Sequence, residues 1–397
     1  MLLSEKEAKS VCEKLLGFAQ ADDALVSVES ENQSHLRFAA NAFTTNGQRE
    51  DTTINVTVWI GKKRGAASAN ETNDAALKAV VEEAERIARL SPEDHEYLPT
   101  LGSQTYKPVT GYVEATANIS PKDRSKAVHE LIMACLEAKV VGAGFHQAIV
   151  SAVASATHNG NFQYERSSLI SLGMTARTPG GGGSGFFLRN HFDAAKLDTS
   201  RVAREAIRKA LESRNPRTLD PGQFPVILEP QAVADLLSIA FDARRADEGR
   251  SPFSVAGGKT KLGERIFDER INIYSDPWNP GLPGSQSAQD AIPAQKLHLV
   301  RNGVLENLVY SRFWAQQKGK QPTPGPVNTI LESSTSPANI EEMIKATERG
   351  LLVGRFWYIQ GVDPRTALAT GLTRDGVWFV ANGKIQYPVR NFRFNQS

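Results

Sequence analysis

Residues 224–249, FPVILEPQAVADLLSIAFDARRADEG, form the stretch that decides the fold of the C-terminal half of the chain. The apolar run Phe224–Leu228 predicts a short strand. From Pro230 onward, apolar residues recur at i, i+3, i+4 and i+7, which predicts a helix over 230–249 with one buried face. Proline suits the first helical turn because its missing N–H has no partner there. The stretch therefore predicts a strand that leads directly into a helix with a charged, solvated C-terminal end.

The histidines indicate no local metal site. The two nearest of the seven, His146 and His158, are twelve residues apart, whereas a His-Glu-x-x-His motif places two imidazoles one helical turn apart. The pair His129-Glu130 comes closest to that motif, but Met133 stands where the second histidine is required. We therefore interpret His129 as a surface or partly buried side chain and predict that the chain binds no metal and no other cofactor.

Composition indicates a globular protein with neither a nucleic-acid nor a membrane partner. Apolar residues make up 40% of the chain and charged residues 23%, and the formal net charge of +2 indicates no basic binding surface. No apolar run approaches the roughly 20 residues of a membrane-spanning helix. The N-terminal MLLSEKE lacks a signal-peptide pattern, which predicts a cytoplasmic location. Cys12 and Cys135 lie in amphipathic patterns and are predicted to be small buried side chains.

The N-terminal half alternates helical and strand patterns, which predicts the α+β class. Gly142 and Gly144 are interpreted as the end of its third helix. Helices are predicted at 4–20, 73–90, 121–140 and 196–213, and strands at 24–29, 35–40, 52–60, 66–69, 145–156 and 169–177.

A Pro- and Gly-rich segment, NPRTLDPG at 215–222, is the best domain boundary. We predict an N-terminal mixed helix and antiparallel-sheet domain over 1–214, and a strand-rich C-terminal domain over 223–397 that carries the helix 230–249. In the latter, Asn302-Gly303 and Asn382-Gly383 each predict the turn of a β-hairpin. Residues 339–349 predict a further helix.

The glycine-rich segment TPGGGGSG at 178–185 is predicted to be a flexible loop. It is not a phosphate-binding loop, because no Lys-Ser/Thr follows the glycines, and it is not a Gly-x-Ser-x-Gly elbow. One interpretation is a simple mobile connection. The other is a site where a peptide backbone approaches closely, because glycine has no Cβ; the candidate contact residues are then Gly182, Gly183, Ser184 and Gly185.

Several segments resemble, in a consistent order, the TldD/PmbA family. Residues 61–69 and the helix that follows resemble its N-terminal domain, and 224–237 resemble the start of its C-terminal domain. The motifs KLGERIF, INIYSDP and GLPGS within 261–285 resemble its central core, and 373–384 resemble its closing hairpin. The resemblance covers nearly the whole chain. It also leads us to expect further strands after 391–397.

The resemblance implies a two-domain fold and paired subunits, one a zinc metalloprotease of the TldD type and the other, TldE or PmbA, without the metal. In the zinc-binding type, His-Glu-x-x-x-His follows a Leu-Leu pair. Here the pair at 236–237 is followed by Ser238 and Ile239, and Ala243 takes the place of the second histidine. The zinc-binding type also draws a cysteine ligand from its C-terminal region, and no cysteine follows Cys135. The chain thus resembles the metal-free branch, with degenerate metal-site positions.

Three functions remain open. The first, implied by the resemblance, is a non-catalytic TldE/PmbA-like subunit that forms a heterodimer with a TldD-like zinc subunit and helps it to act on unfolded or leader peptides. The second is a homodimeric peptide-binding or regulatory protein. The third is a stand-alone hydrolase that uses carboxylates such as Asp242, Asp247 and Glu248, with or without a dispersed metal site.

Overall fold

In a computed structural model, which describes residues 2–240, 251–335 and 338–397, the chain has the predicted α+β fold. The α-helices of the described residues are α1 (Glu5–Phe18), α2 (Asp74–Leu90), α3 (Glu114–Ala117), α4 (Pro121–Glu137), α5 (Thr199–Glu212), α6 (Pro230–Ala240), α7 (Arg312–Gln317) and α8 (Ile340–Lys345). The strands are β1 (Asp23–Ala39), β2 (Ala42–Ile60), β3 (Lys63–Ala69), β4 (Val141–Thr157), β5 (Phe162–Arg177), β6 (Ser184–His191), β7 (Val226–Leu228), β8 (Ser254–Val255), β9 (Lys259–Thr260), β10 (Ile271–Ser275), β11 (Leu297–Arg301), β12 (Val304–Leu305), β13 (Ile330–Ser333), β14 (Arg349–Asp363), β15 (Leu368–Ala381), β16 (Lys384–Pro388) and β17 (Arg393–Gln396).

The N-terminal half is an antiparallel six-stranded sheet in the order β3-β2-β1-β4-β5-β6, with helices packed on one face. The sheet has two halves with the same element order: α1 precedes β1–β3 and α2 follows them, and α4 precedes β4–β6 and α5 follows them. Each half has its own apolar cluster, one under α1 and α2 and the other under α4 and α5. The sheet is thus a pair of similar units joined by β1 and β4.

Strand β1 corrects the prediction of two separate strands at 24–29 and 35–40. The polar residues between them continue one strand, because β2 and β4 pair with it on both sides and satisfy its backbone groups. Ser30 in this stretch is buried and accepts a hydrogen bond from the backbone N–H of Leu3 at 2.9 Å. A central strand therefore tolerates a polar sequence that a local pattern assigns to a loop.

The prediction that Gly142 and Gly144 end a helix is wrong. Helix α4 ends at Glu137, and both glycines lie in β4. A Cβ on Gly142 would lie 2.6 Å from Cys135 Sγ, and one on Gly144 would lie 2.3 Å from a backbone carbonyl of β5. These glycines therefore allow close packing and are not helix terminators.

The C-terminal half contains a sheet in the order β16-β15-β14-β7, with β17 paired to β15, and a second sheet in the order β12-β11-β10-β13. Strand β7 is parallel to β14, as expected for a strand that passes directly into a helix. Both predicted hairpins, β11–β12 and β15–β16, are present. The helix predicted at 339–349 is shorter, because β14 already begins at Arg349.

The cysteine prediction is confirmed: both thiols are free and buried. Burial raises the pKa of Cys12 to about 12 and that of Cys135 to about 11, so both stay protonated at neutral pH. Among the described residues, no helix has both the length and the apolar character needed to span a membrane. The division into domains at 1–214 and 223–397 stays a prediction.

Histidine 146, on β4 and only 1% exposed, makes stability depend on pH. Burial lowers its pKa to about 4, and the positive charge of Arg124 acts in the same direction. The unfolded chain takes up the proton near pH 6.5. The contribution of neutral His146 to the free energy of unfolding is therefore fully present above that pH, and it falls by about 3 kcal/mol as the pH drops towards 4. In urea titrations across this range, His146→Gln should show a smaller loss than the parent. The exposed His129→Gln should behave like the parent; an unchanged loss in His146→Gln would contradict the assignment.

Candidate functional site

Helix α6 carries two of the three degenerate metal-site positions and packs against β14. Its backbone begins at Pro230, and the backbone N–H of Val233 donates to the Glu229 carbonyl at 3.0 Å. Ala232 is fully buried against the apolar residues of β14 and β15. Ser238 and Ile239 lie in the last described turn, whereas Ala243 lies outside the described residues. The carboxylates proposed for a stand-alone hydrolase, Asp242, Asp247 and Glu248, also lie outside them.

The residues at the three degenerate positions do not fit a zinc ion. Zinc in proteins takes Cys, His, Asp or Glu donors, and positions 238, 239 and 243 offer none of these. Asp235 is the one carboxylate on the described part of α6. Its Oδ1 accepts from the Gln231 amide at 2.8 Å, and its Oδ2 accepts from the Phe356 backbone N–H at 2.9 Å. Within the part of the chain that the structure describes, no group of three or more His, Cys, Asp or Glu side chains could hold a metal.

A buried polar contact joins the N-terminal sheet to the C-terminal sheet beside α6. Ser184 Oγ on β6 donates to Asp375 Oδ1 on β15 at 2.5 Å, and Arg355 on β14 lies 3.4 Å from Asp375 Oδ2. The Arg355 guanidinium also stacks 3.9 Å from the Phe186 ring centroid. Burial lowers the pKa of Arg355, while Asp375 opposes this shift. The Ser184 hydroxyl, the Asp375 carboxylate and the Arg355 guanidinium thus form one network where the two sheets meet, which we call the junction.

A β-bulge aims Asp375 at this network. The register of β14 and β15 shifts between Val353 and Arg355, so that Gly354 lies opposite both Asp375 and Gly376. Asp375 has a φ of 54° and Gly376 one of 127°, both in the region that favours glycine. A bulge of this kind turns a side chain away from its regular direction.

A second junction contact is the buried ion pair of Lys209 and Glu229. Lys209 lies on α5, and Glu229 lies between β7 and α6. Their side chains are 4% and 9% exposed, and the Glu229 backbone N–H donates to the Val353 carbonyl of β14. Because an unpaired buried charge is costly, each side chain requires the other. The pair therefore fixes α5 against the start of α6.

The structure assigns a packing role to two of the four predicted peptide-contact residues. The segment predicted to be a flexible loop ends earlier than expected, because Ser184 and Gly185 already belong to β6. A Cβ on Gly183 or Gly185 would lie 2.2 Å from a backbone carbonyl of α5, whereas Gly182 is exposed. Gly65 on β3 meets α2 in the same way, at 2.0 Å from the Ala84 carbonyl. Peptide contact by Gly182, Gly183, Ser184 and Gly185 stays a prediction.

A cleft of about 1100 Å³ lies beside the junction, and we call it the β6 cleft. Its walls come from β6, α5, the start of α6, α8 and β16. Its volume is sufficient for several side chains of an extended peptide. The apolar side chains of Met343 and Ile385 in its lining are 39% and 40% exposed.

The junction residues were missed in the sequence, although a signal was present. Lys209 occupies a buried position of α5, in register with Val202 and Ala206 on its apolar face. Glu229 follows the apolar run of β7, and Asp375-Gly376 is a dipeptide typical of irregular backbone. A charge within an apolar pattern indicates a buried partner, but the sequence does not identify that partner.

Three family models match the chain. The model described as PmbA/TldA metallopeptidase domain 1 matches residues 24–88, the central-domain model matches 114–214, and the C-terminal-domain model matches 221–397. The first two matched segments contribute β1–β3 and β4–β6 to the same six-stranded sheet.

Two proteins have sequences similar to this chain, and one solved structure has a similar fold. The metalloprotease PmbA homolog of Haemophilus influenzae is 24% identical over 358 residues, which cover 85% of this chain and 76% of that protein. A metalloprotease of Methanocaldococcus jannaschii is 24% identical over 290 residues, which cover 70% of this chain but only 59% of that protein. The crystal structure of TldE from Thermococcus kodakarensis has the same fold, with a TM-score of 0.84 at 18% identity over 98% of this chain and 90% of that one.

The packing of β6 on α5 can be tested with two neighbouring glycines. Gly185→Ala should destabilise the protein by about 2 kcal/mol or more, because its Cβ overlaps backbone atoms. Gly182→Ala is the matched control: its nearest neighbour atom would be 4.0 Å away and its φ of −77° is ordinary. Urea denaturation measures both. Equal stability of the two variants would show that β6 does not pack closely on α5.

The buried ion pair gives a second prediction. Lys209→Met leaves the Glu229 carboxylate buried and unpaired, and should reduce the free energy of unfolding by roughly 3 kcal/mol. The double variant Lys209→Met, Glu229→Leu should recover much of that loss. As a control, Arg86→Met removes an exposed pair with Glu83 and should leave the free energy of unfolding nearly unchanged. A Lys209→Met loss no larger than that of the control would contradict the role of the pair.

Proposed function

Because the chain belongs to the PmbA/TldD metallopeptidase family, we propose that it is a non-catalytic, TldE/PmbA-like subunit of a TldD-type zinc metalloprotease complex. The observation that carries this proposal is the chemistry of α6. The degenerate positions Ser238 and Ile239 on α6, and Ala243 further along the sequence, supply no zinc donor, and both oxygens of Asp235 are used in hydrogen bonds to the protein. The family scaffold is thus retained while the residues for metal chemistry are absent from this helix.

The role of the subunit in the complex is to hold the substrate, which we take to be an unfolded or leader-type peptide. The β6 cleft offers room and exposed apolar side chains for such a chain. Strand β6 ends its sheet, so a peptide backbone could also pair with its outer edge. The partner supplies the zinc and the hydrolytic chemistry. A heterodimer with a TldD-like subunit and a cytoplasmic location complete the proposal.

The test reconstitutes peptide cleavage from a separately purified TldD-like partner and this chain. Cleavage of an unfolded peptide should require both proteins, and elemental analysis should find less than about 0.1 zinc per molecule of this chain. The Asp235→Asn variant should have the same low zinc content. A higher zinc content in the parent that falls in Asp235→Asn would instead reveal a metal site at α6. Cleavage by the partner alone at the same rate would refute the subunit role. Cleavage by this chain alone would instead favour the stand-alone hydrolase.

A further inference from the structure

Three cationic side chains surround the ring of Phe187 on one wall of the β6 cleft. Arg189 on β6 and Arg201 on α5 place their guanidinium carbons 4.8 and 5.8 Å from the ring centroid. Lys209 Nζ lies 5.4 Å from the same centroid. Both arginines therefore approach one aromatic side chain of the cleft from neighbouring elements.

Among the described residues, these two arginines differ from the other cations of the cleft because no carboxylate forms a salt bridge with them. Over the described ranges of the chain, neither Arg189 nor Arg201 forms a salt bridge. The other cations are neutralised by carboxylates: Arg208 by Glu205 and Glu212, at 3.1 and 2.6 Å, and Lys209 by Glu229.

The pKa of Arg189 is consistent with a charged side chain that lacks a carboxylate partner. Burial lowers the pKa of Arg189, and the charge of Arg201 lowers it further, whereas Glu205 and Asp198 oppose the shift only in part. The guanidinium remains charged at neutral pH, because the ordinary pKa of arginine lies far above neutrality. An anion close to both guanidinium groups would offset their repulsion and the lost hydration of Arg189.

We infer that Arg189 and Arg201 bind a carboxylate of an extended peptide that lies in the β6 cleft. This inference rests on the proposed function in taking a peptide as the ligand. Guanidinium groups bind carboxylates through paired, charge-assisted hydrogen bonds. The carboxylate belongs either to the C-terminus of the peptide or to an acidic side chain.

A peptide fits the rest of the cleft better than a small anion does. The wall formed by α8 and β16 presents Met343 and Ile385, which are partly exposed and suit apolar side chains. A small anion would leave that apolar surface without contacts and most of the volume of about 1100 Å³ unfilled. The cleft therefore combines one charged anchor point with an apolar channel.

The test measures binding of dye-labelled peptides to the purified chain by fluorescence anisotropy. Three probes share one neutral, unstructured sequence: one has a free C-terminal carboxylate, one is C-terminally amidated, and one is amidated but carries a single internal glutamate. Arg189→Gln and Arg201→Gln are compared with Arg204→Gln, an exposed arginine of the same helix α5 that does not line the cleft. Thermal melting confirms that each variant is folded.

We expect at least one carboxylate-bearing probe to bind about tenfold more tightly than the amidated neutral probe. Arg189→Gln and Arg201→Gln should each remove most of that difference, and Arg204→Gln should keep it. Preference for the first or the third probe identifies the C-terminus or the side chain as the source of the carboxylate. Equal binding of all three probes, no binding of any, or unchanged affinity in both cleft variants would overturn the inference. The inference would also be overturned if the chain bound inorganic phosphate but none of the three peptide probes.

Failure of this inference and failure of the proposed function give different results. The anisotropy experiment uses this chain alone, so it is independent of any partner. If the TldD-like partner cleaves peptides unaided, the subunit role fails while carboxylate binding stands. If cleavage needs both proteins but the cleft variants bind and support cleavage normally, only the carboxylate site fails.

Discussion

The buried ion pair of Lys209 and Glu229 is the contact on which the arrangement of the two sheets depends. It joins the last turn of α5, on the N-terminal sheet, to the residue that precedes α6, on the C-terminal sheet. Because each charge is removed from water, the pair tolerates little displacement of either element. The Ser184–Asp375–Arg355 network adds a second fixed contact nearby. The position of α6 relative to β6, and hence the shape of the β6 cleft, follows from these two contacts.

Packing and hydrogen bonds account for the position of α6, whose degenerate positions Ser238 and Ile239 offer no zinc donor. In a zinc enzyme, the metal itself binds ligands together and stabilises the local fold. Here α6 is held by other means: Ala232 is buried against β14, and Asp235 accepts from the backbone of Phe356. The helix therefore needs no ion for its position.

Much of the fold could be predicted because its signals are local. Asn73 and Asn339 cap helices within three residues of themselves, and the Asn-Gly turn at 382–383 fixes its hairpin. The continuity of β1 could not be predicted, because its polar middle is stabilised by the two neighbouring strands. The role of Gly185 was hidden for a similar reason: a glycine-rich sequence gives the same local signal in a mobile loop and in a strand packed against a helix.

The α+β class, the strand that leads into α6, and the lack of zinc donors at 238, 239 and 243 follow from residue type and short-range spacing alone. Which charges meet depends on the tertiary structure. Lys209 and Glu229 are twenty residues apart, and Ser184 and Asp375 are 191 apart. It also placed Arg189 and Arg201 around Phe187 on the wall of one cleft. Contacts of this kind form when whole elements pack against one another. The sequence pattern of one element does not identify which distant element it will contact.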